Sequence, residues 1–501
     1  MTNHSTKFDR LKSHLRGKDA VVFGLFLLYA ALVFSPFLAG QHRVHDSYLM
    51  ELYGSYDFMI ESLFNIGRLF SALFFQILYF LNPPFTWVMR ISVAVSLVFL
   101  ALSAYIVFCL LRRYAPSTAK RNGYILAALG SLMVFFNIFI LETVLFLETS
   151  VMSFGILLTV VAAARFLRGG VKNYLLSLLC LIISVFCYLP GTIFFPPLVV
   201  LFLGAKHQTE LRPLLRKIGL AILVFAGAML VQFAFLTLIS DDVRFAGDVL
   251  LTENVRQSGI FFARFMLNQL GFLPRLVFFA FLLGFFCILA VTCHKRKNYK
   301  ALVLALLPTV AVFAALFAVY LPVATDNWYI MPRTAIAIAS IGGLMILGIV
   351  LCAEKIGKPV LLIAVLFTLL ISQRQIDIQQ NTYANNRLDM QELNHIVETI
   401  RAYEAYHDIR VEQIFFTYDT PRSWFREGIT DYSDLTIRVW QIPWMPRPLL
   451  QPYLGRDLTI FPMHMVMTDE EIEEVAARRE YHWFTNGTFV FDEETVYIFF
   501  R

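Results

Sequence analysis

Long apolar runs, separated by short polar segments, follow one another from Val21 to Ile371. A helix that crosses a bilayer needs about 20 consecutive, mostly apolar residues. On this criterion the pattern predicts eleven transmembrane helices, so we expect a polytopic α-helical membrane protein. The predicted helices cover residues 20–39, 87–111, 122–141, 147–167, 173–189, 191–205, 217–239, 270–293, 301–322, 333–353 and 358–372.

The distribution of Lys and Arg predicts how these helices are oriented. Segment 69–81 is apolar but short, and it contains Gln76. If it lies in the interface without crossing, 22 Lys and Arg residues collect on one side, and the opposite loops hold only scattered arginines. The asymmetry disappears if the segment crosses. We therefore expect a cytoplasmic N-terminus, an extracytoplasmic C-terminus, a membrane module at 1–372 and an outer juxtamembrane loop at 40–86.

Residues 373–501 have a different, polar pattern. Apolar positions recur with a helical period at 390–400, and an acidic helix is predicted at 469–479. Three short runs have the pattern of β-strands, and the last two flank a turn at 492–494. These runs are 413–417, 488–491 and 496–500. The pattern predicts a small extracytoplasmic α/β domain.

Composition excludes several classes of protein. The chain is 58% hydrophobic and only 16% charged, whereas soluble domains carry about 25% charged residues. A soluble enzyme, an extended nucleic-acid binder and a disordered scaffold are therefore excluded. The net charge of +6 predicts no nucleic-acid partner, because most basic residues lie at membrane boundaries. The six cysteines form no CxxC pair, so we expect neither a zinc site nor a disulfide framework. We expect no cofactor and assign no metal ligand, and dependence on a divalent metal is left undecided.

Candidate chemistry lies on the predicted outer side. Carboxylates at membrane depth are costly and often functional, and arginine binds phosphate oxygens through two parallel donors. On a helix Asp46, Tyr53, Asp57, Glu61 and Arg68 would share one face, and Glu51 would point away. A bend at Gly54-Ser55 would bring Asp46 closer to Arg68 than a straight helix does. The candidate catalytic acids are Asp46, Glu51, Asp57, Glu142 and Glu148, and the candidate phosphate ligands are Arg68 and Arg333. The alternative interpretation is a set of solvated turns and interface markers.

Together these residues indicate a reaction class. A carboxylate can take a proton from an attacking hydroxyl, and an arginine can stabilise a departing phosphate. Nucleotide-linked donors are confined to the cytoplasm, and the predicted cytoplasmic segments contain no P-loop or dinucleotide motif. A sugar donor used on the outer side would therefore be linked to a lipid.

Several short motifs, in their order along the chain, resemble a known family. They are His45-Asp46-Ser47, Gly67-Arg68-Leu69, Glu142 with Leu147-Glu148-Thr149-Ser150, Met331-Pro332-Arg333, and Gln375 to Asp389. The chain resembles the bacterial Gtr-type glucosyltransferases, polytopic GT-C enzymes that modify surface polysaccharides with glucose from polyprenyl phosphate. The resemblance implies inverting transfer at the outer face of the cytoplasmic membrane, with Asp46 as the acidic residue that serves as the catalytic base. Many GT-C enzymes have two adjacent acids there, whereas this chain has His45-Asp46. The resemblance does not extend over 390–501.

Two alternatives stay open at this point. A flippase or transporter of lipid-linked glycans is expected to show inverted repeats or charged residues deep within its helices. A polymerase or ligase of the O-antigen type usually has its large outer loop between late helices. For the transferase, the expected partners are a polyprenyl-phosphate-linked sugar donor, a cell-surface polysaccharide acceptor and membrane lipid. Trp424, Trp440 and Trp444 are candidate acceptor-binding residues, with burial in a small core as the alternative.

Overall fold

The computed structural model describes most of the chain. The described residues are 18–40, 42–43, 47, 50, 56–206, 211–239, 252–257, 260, 272–295, 299–320, 332–417, 439–442, 445–478 and 489–499. The chain divides into two compact units. The first unit comprises Met1–Gly40 and Asp57–Asp377, and the second comprises Gln41–Tyr56 and Ile378–Arg501.

The first unit is helical throughout its described part. Its α-helices are α1 (Lys18–Val33), α2 (Ser35–Leu38), α3 (Tyr56–Asn65, whose first residue belongs to the second unit), α4 (Leu69–Leu81), α5 (Phe85–Tyr114), α6 (Arg121–Phe135), α7 (Ile140–Val144), α8 (Thr149–Arg168), α9 (Val171–Tyr188), α10 (Phe195–Lys206), α11 (Leu211–Leu238), α12 (Phe272–Lys295), α13 (Tyr299–Tyr320) and α14 (Ile341–Cys352). Helix α15 (Lys358–His407) begins in this unit and continues into the second. Short 3₁₀ turns lie at Pro116–Ala119, Leu189–Phe194, Pro332–Ala335 and Ile338–Ser340.

The helices have the length and composition of a membrane protein. Within the described residues, 6 helical stretches are long and apolar enough to cross a bilayer. They are Phe85–Tyr114, Thr149–Arg168, Val171–Lys206, Leu211–Leu238, Leu276–Lys295 and Lys358–His407. Shorter apolar helices include Leu69–Leu81, whose 13 residues are fewer than a crossing needs. The chain is therefore a polytopic helical membrane protein, and the number of crossings and their orientation stay predictions.

Two predicted helices are interrupted in the structure. The segments 122–141 and 333–353 were expected to be continuous, but α6 ends at Phe135 and α14 begins only at Ile341. Polar side chains cause the first break. The Asn137 amide donates to the carbonyls of Val134 (3.0 Å) and Ile336 (3.2 Å), and its oxygen accepts from the amide N–H of Phe139 (3.0 Å). These bonds compete with the helical ladder, so hydropathy alone could not place the helix end.

A row of hydroxyls fixes the start of α8 against α5. The hydroxyls of Ser96 and Ser153 are 2.5 Å apart, and Thr149 donates to Ser96 at 3.0 Å. Ser92 donates to the carbonyl of Leu147 at 2.6 Å. Small hydroxyl side chains let membrane helices approach closely and bond across the interface. The backbone on either side of Glu148 is therefore held in place.

The second unit contains a four-stranded sheet in the order β2-β1-β4-β3. Its strands are β1 (Gln413–Phe416), β2 (Thr459–Pro462), β3 (Phe489–Asp492) and β4 (Thr495–Ile498). Strand β1 pairs in parallel with β2 and β4, and β3 pairs antiparallel with β4. The three predicted strand segments and the hairpin at 492–494 are thus confirmed, and β2 was not predicted.

Helices cover the sheet and complete its core. They are the C-terminal part of α15, α16 (Pro446–Leu454), α17 (Met463–Val466) and α18 (Asp469–Ala477), with a 3₁₀ turn at Val439–Gln441. Leu393, Ile396 and Ile400 pack with Ile414 and Trp440 in one buried cluster. The predicted acidic helix is α18, and Thr468 caps it through a reciprocal pair of hydrogen bonds with Glu471.

Candidate functional site

One ion pair joins two predicted site residues in the first unit. A terminal guanidinium nitrogen of Arg68 lies 3.5 Å from a carboxylate oxygen of Glu148, and their side chains are 17% and 3% exposed. The Arg68 guanidinium also lies 5.2 Å from the centre of the Tyr188 ring. A cation over an aromatic face is stabilised by the ring quadrupole, most strongly when water is excluded. Arg68 is therefore held by a charge and by a ring.

A second buried acid holds the backbone at Arg333. Glu142 is fully buried, and its carboxylate accepts the Arg333 amide N–H at 2.6 Å. The Tyr188 hydroxyl donates to the Arg333 carbonyl, so both backbone groups of this residue are bound. The Arg333 guanidinium lies 4.4 Å from the Phe146 ring centre.

These contacts form one connected set. We call Arg68, Glu142, Glu148, Tyr188 and Arg333 the glutamate–arginine cluster. The structure thus brings together four residues proposed from sequence and adds Tyr188, which sequence reasoning missed. The available signal was a tyrosine that ends a long apolar helix directly before Leu189-Pro190.

Interruptions between helices position three members of this cluster. Arg68 is the N-cap of α4 and Glu148 is the N-cap of α8, while Arg333 lies in a 3₁₀ turn. Gly67 precedes Arg68 with φ of 73°. A Cβ there would lie 3.1 Å from Leu236 and would strain the backbone. The glycine therefore sets the direction in which Arg68 leaves the chain.

The buried charges explain what the cluster can do. An isolated carboxylate in an apolar interior is very costly, so buried acids are paired or bound by donors. Here one acid is paired with a guanidinium and the other with a backbone N–H. An anionic group that reached Arg68 would find an arginine already oriented by a carboxylate and a ring.

The proposed acids of the first outer loop are placed differently from the prediction. Asp57 and Glu61 are exposed on α3, which ends at Asn65. The chain then turns at Gly67, so the expected continuous helical face with Arg68 is wrong. Asp46 and Glu51 lie outside the described residues. Within the described residues, no group of three or more His, Cys, Asp or Glu could hold a metal ion.

The backbone shortly before Asp46 is bound by an asparagine in the second unit. The Asn386 side-chain oxygen accepts the Arg43 amide N–H at 2.8 Å, and its side-chain nitrogen donates to the Arg43 carbonyl at 3.0 Å. This pair of bonds has the pattern of a hydrogen-bonded residue pair in an antiparallel β-sheet, with a side-chain amide in place of one backbone. Ser47, one residue beyond Asp46, is fully buried. The backbone at residue 43 is thus held by a side chain of α15.

The three candidate acceptor-binding tryptophans receive no support as a group. Trp440 is fully buried in the core of the second unit, so its ring does not face solvent. This corresponds to the alternative interpretation, a core residue. Trp424 and Trp444 lie outside the described residues.

No protein-family model, no curated protein and no solved structure matches this chain. The likeness to the polytopic glucosyltransferases therefore rests on the motifs quoted above.

Proposed function

We propose that the chain is an inverting glycosyltransferase of the bacterial cytoplasmic membrane. It transfers a sugar, glucose by the resemblance, from a polyprenyl-phosphate carrier to a cell-surface glycan on the outer face. The glutamate–arginine cluster is the observation that carries this proposal. Its two arginines and two buried carboxylates lie inside a mostly apolar helical unit, where buried charged groups are costly and mark function.

In the proposed reaction, Asp46 accepts the proton of the acceptor hydroxyl. The acceptor oxygen attacks C1 of the sugar, and the bond between C1 and the phosphate oxygen breaks with its electron pair. The carrier leaves as polyprenyl phosphate with an additional negative charge. Positive groups that are oriented before the reaction stabilise such charge best, since they need no rearrangement.

The roles in the cluster follow from its contacts. Arg68 is the proposed phosphate ligand, with Glu148 and Tyr188 orienting its guanidinium. Arg333 is the second, and its backbone is fixed by Glu142 and Tyr188. In this scheme Glu142 and Glu148 are positioning residues, and Asp57, exposed on α3, is a surface residue.

Reconstituted transfer tests the proposal. The full chain in lipid nanodiscs receives polyprenyl-phosphate glucose with a radiolabelled sugar and the surface polysaccharide of the producing cell. We expect Asp46→Asn to abolish transfer and to retain donor binding, because the amide keeps the shape but cannot accept the proton. Arg68→Lys should weaken donor binding, since lysine keeps the charge but loses the planar pair of donors. Glu473→Gln, an exposed acid-to-amide change, is the control. Full turnover by Asp46→Asn would remove this residue from the mechanism.

One observation favours a second candidate, a transporter of lipid-linked glycans. A transporter is expected to have charged residues deep within its helices, and two acids of the membrane unit are buried, Glu142 in the short helix α7 and Glu148 at the N-cap of α8. Sugar composition of the surface polymer in a deletion strain separates the candidates. Loss of one side-chain sugar agrees with the transferase. Loss of the whole polymer agrees with the transporter or with a polymerase.

The orientation is tested by a cysteine at position 120, between α5 and α6. Lys120 is exposed and belongs to the basic set that the proposal places in the cytoplasm. We expect Lys120→Cys to resist an impermeant thiol reagent on intact cells and to react after permeabilisation. Labelling on intact cells would reverse the proposed sidedness.

A further inference from the structure

The second unit contains a cleft of about 530 Å³ at the amino ends of β1 and β2. This volume lies within the range of about 300–1,000 Å³ that is typical of small-molecule sites. Its polar lining includes Arg410, Glu412, Gln413, Arg447 and Asp457. All five side chains are exposed. The cleft therefore presents several planar hydrogen-bonding groups to solvent.

The charges that surround the cleft cancel. Three arginines line it, and two of the lining residues are carboxylates. The third arginine, Arg456, forms a partly buried ion pair with Glu404 and donates to the Val411 carbonyl at 2.8 Å. Three positive and three negative groups leave no excess charge to attract an ion of either sign. A neutral ligand with many hydroxyls fits this lining better than a phosphate or an acidic chain.

Neighbouring contacts hold the wall of the cleft in place. Asp457 receives hydrogen bonds from Gln451 at 2.5 Å and from Arg447 at 3.5 Å. Arg456, the residue before it, is fixed by its own ion pair. Groups that are already ordered lose little freedom when a ligand binds. The Asp457 carboxylate is therefore oriented before any ligand arrives.

An aromatic ring lines the same cleft. Phe461 on β2 is 45% exposed, although most large apolar side chains of this unit are buried. It pairs in register with Phe415, whose ring stacks at 5.6 Å on Tyr497 of β4. The ring is thus the outer member of an aromatic row across three strands. Sugar C–H faces pack on such rings while the hydroxyls keep polar partners.

We infer that this cleft binds a neutral oligosaccharide segment of the acceptor glycan. The identification of the ligand as acceptor rests on the proposed function, whereas the binding itself does not. Adjacent sugar hydroxyls match pairs of donors on Arg410 and Arg447 and pairs of acceptors on Glu412 and Asp457. No covalent step occurs there.

The test measures binding without donor lipid. The full chain in nanodiscs is applied to an array of neutral hexose oligosaccharides and of uronic-acid oligosaccharides of equal length. We expect binding to neutral members, and titration with the strongest of them should show at least tenfold weaker affinity for Phe461→Ala and for Asp457→Ala. Tyr406→Ala is the matched aromatic control, because Tyr406 is 85% exposed and does not line the cleft. Thermal unfolding checks that each variant is folded.

Three outcomes overturn the inference. They are binding to no array member, binding to uronic acids alone, and equal affinity for wild type and both cleft variants. Failure of the proposed function gives a different result. In that case the neutral oligosaccharide binds and Phe461→Ala lowers the affinity for it, but no sugar is transferred from polyprenyl phosphate in the reconstituted assay.

Discussion

Replacing Asn386 with leucine tests whether the backbone before Asp46 must be held for activity. The substitution keeps the side-chain size and removes both hydrogen bonds to Arg43, of 2.8 and 3.0 Å. Each such bond contributes about 0.5–1.5 kcal/mol net, so the segment loses about 1–3 kcal/mol of restraint. If transfer requires the held arrangement, the rate falls about 5- to 150-fold.

The assay is steady-state transfer by the full chain, with donor and acceptor varied separately. We expect kcat to fall and the KM for the sugar-donor lipid to stay near wild type. Asn386 contacts the backbone of residue 43, and it is not one of the residues proposed to bind the donor lipid. Hydrogen exchange over residues 42–50 should become faster. Gln380→Leu is the matched control, since it makes a similar change on the exposed side of the same helix. Unchanged kcat together with faster exchange would refute the reasoning.

Three further predictions concern single contacts. Tyr188→Phe removes the donor to the Arg333 carbonyl but keeps the ring beside Arg68, so we expect a loss of about 0.5–1.5 kcal/mol in stability and a smaller loss of donor affinity than Arg68→Lys causes, measured by thermal unfolding and donor titration. Gly67→Ala places a side chain at φ of 73°, which costs about 1–2 kcal/mol and should weaken donor binding, whereas Gly219→Ala, with open space around its Cβ, should not. Hydrogen bonds from the capping threonine hold the pKa of Glu471 below its ordinary value of 4.5. Its contribution to stability is therefore full above that value and is lost as pH falls through the lowered pKa, and Glu471→Gln should remove this dependence from thermal midpoints measured between pH 7 and pH 3.

The sequence was most informative where a local pattern decides the structure. Apolar runs predicted the helices, and alternation predicted β1, β3 and β4 within one or two residues of their observed bounds. Strand β2 was missed because its four residues, Thr459–Pro462, are short and end in proline. The helix end at Asn137 was missed because side-chain bonds, one of them to Ile336, decide it.

The candidate site was predictable only as separate residues. Sequence position identified Glu142 and Arg333 as unusual for their surroundings, but they are 191 residues apart and no periodicity connects them. Asn386 and Arg43 are 343 residues apart, so that contact carries no local pattern. The prediction that Asp57 and Arg68 share a helical face was wrong because of a local feature. The helix ends at Asn65 and the chain turns at Gly67. Tertiary packing therefore supplied what local rules could not.

The strand order has a consequence for biosynthesis. Strand β1 lies between β2 and β4, and β4 leaves the ribosome roughly 80 residues after β1. At a synthesis rate of about 5–20 residues per second, the edge of β1 that pairs with β4 stays unpaired for roughly 4–16 s. During this interval Ile414 and Phe416, fully or almost fully buried in the finished sheet, have no completed core to cover them. A nascent chain at this stage exposes these residues to chaperones and proteases. Slower translation between residues 417 and 495 would lengthen that exposure.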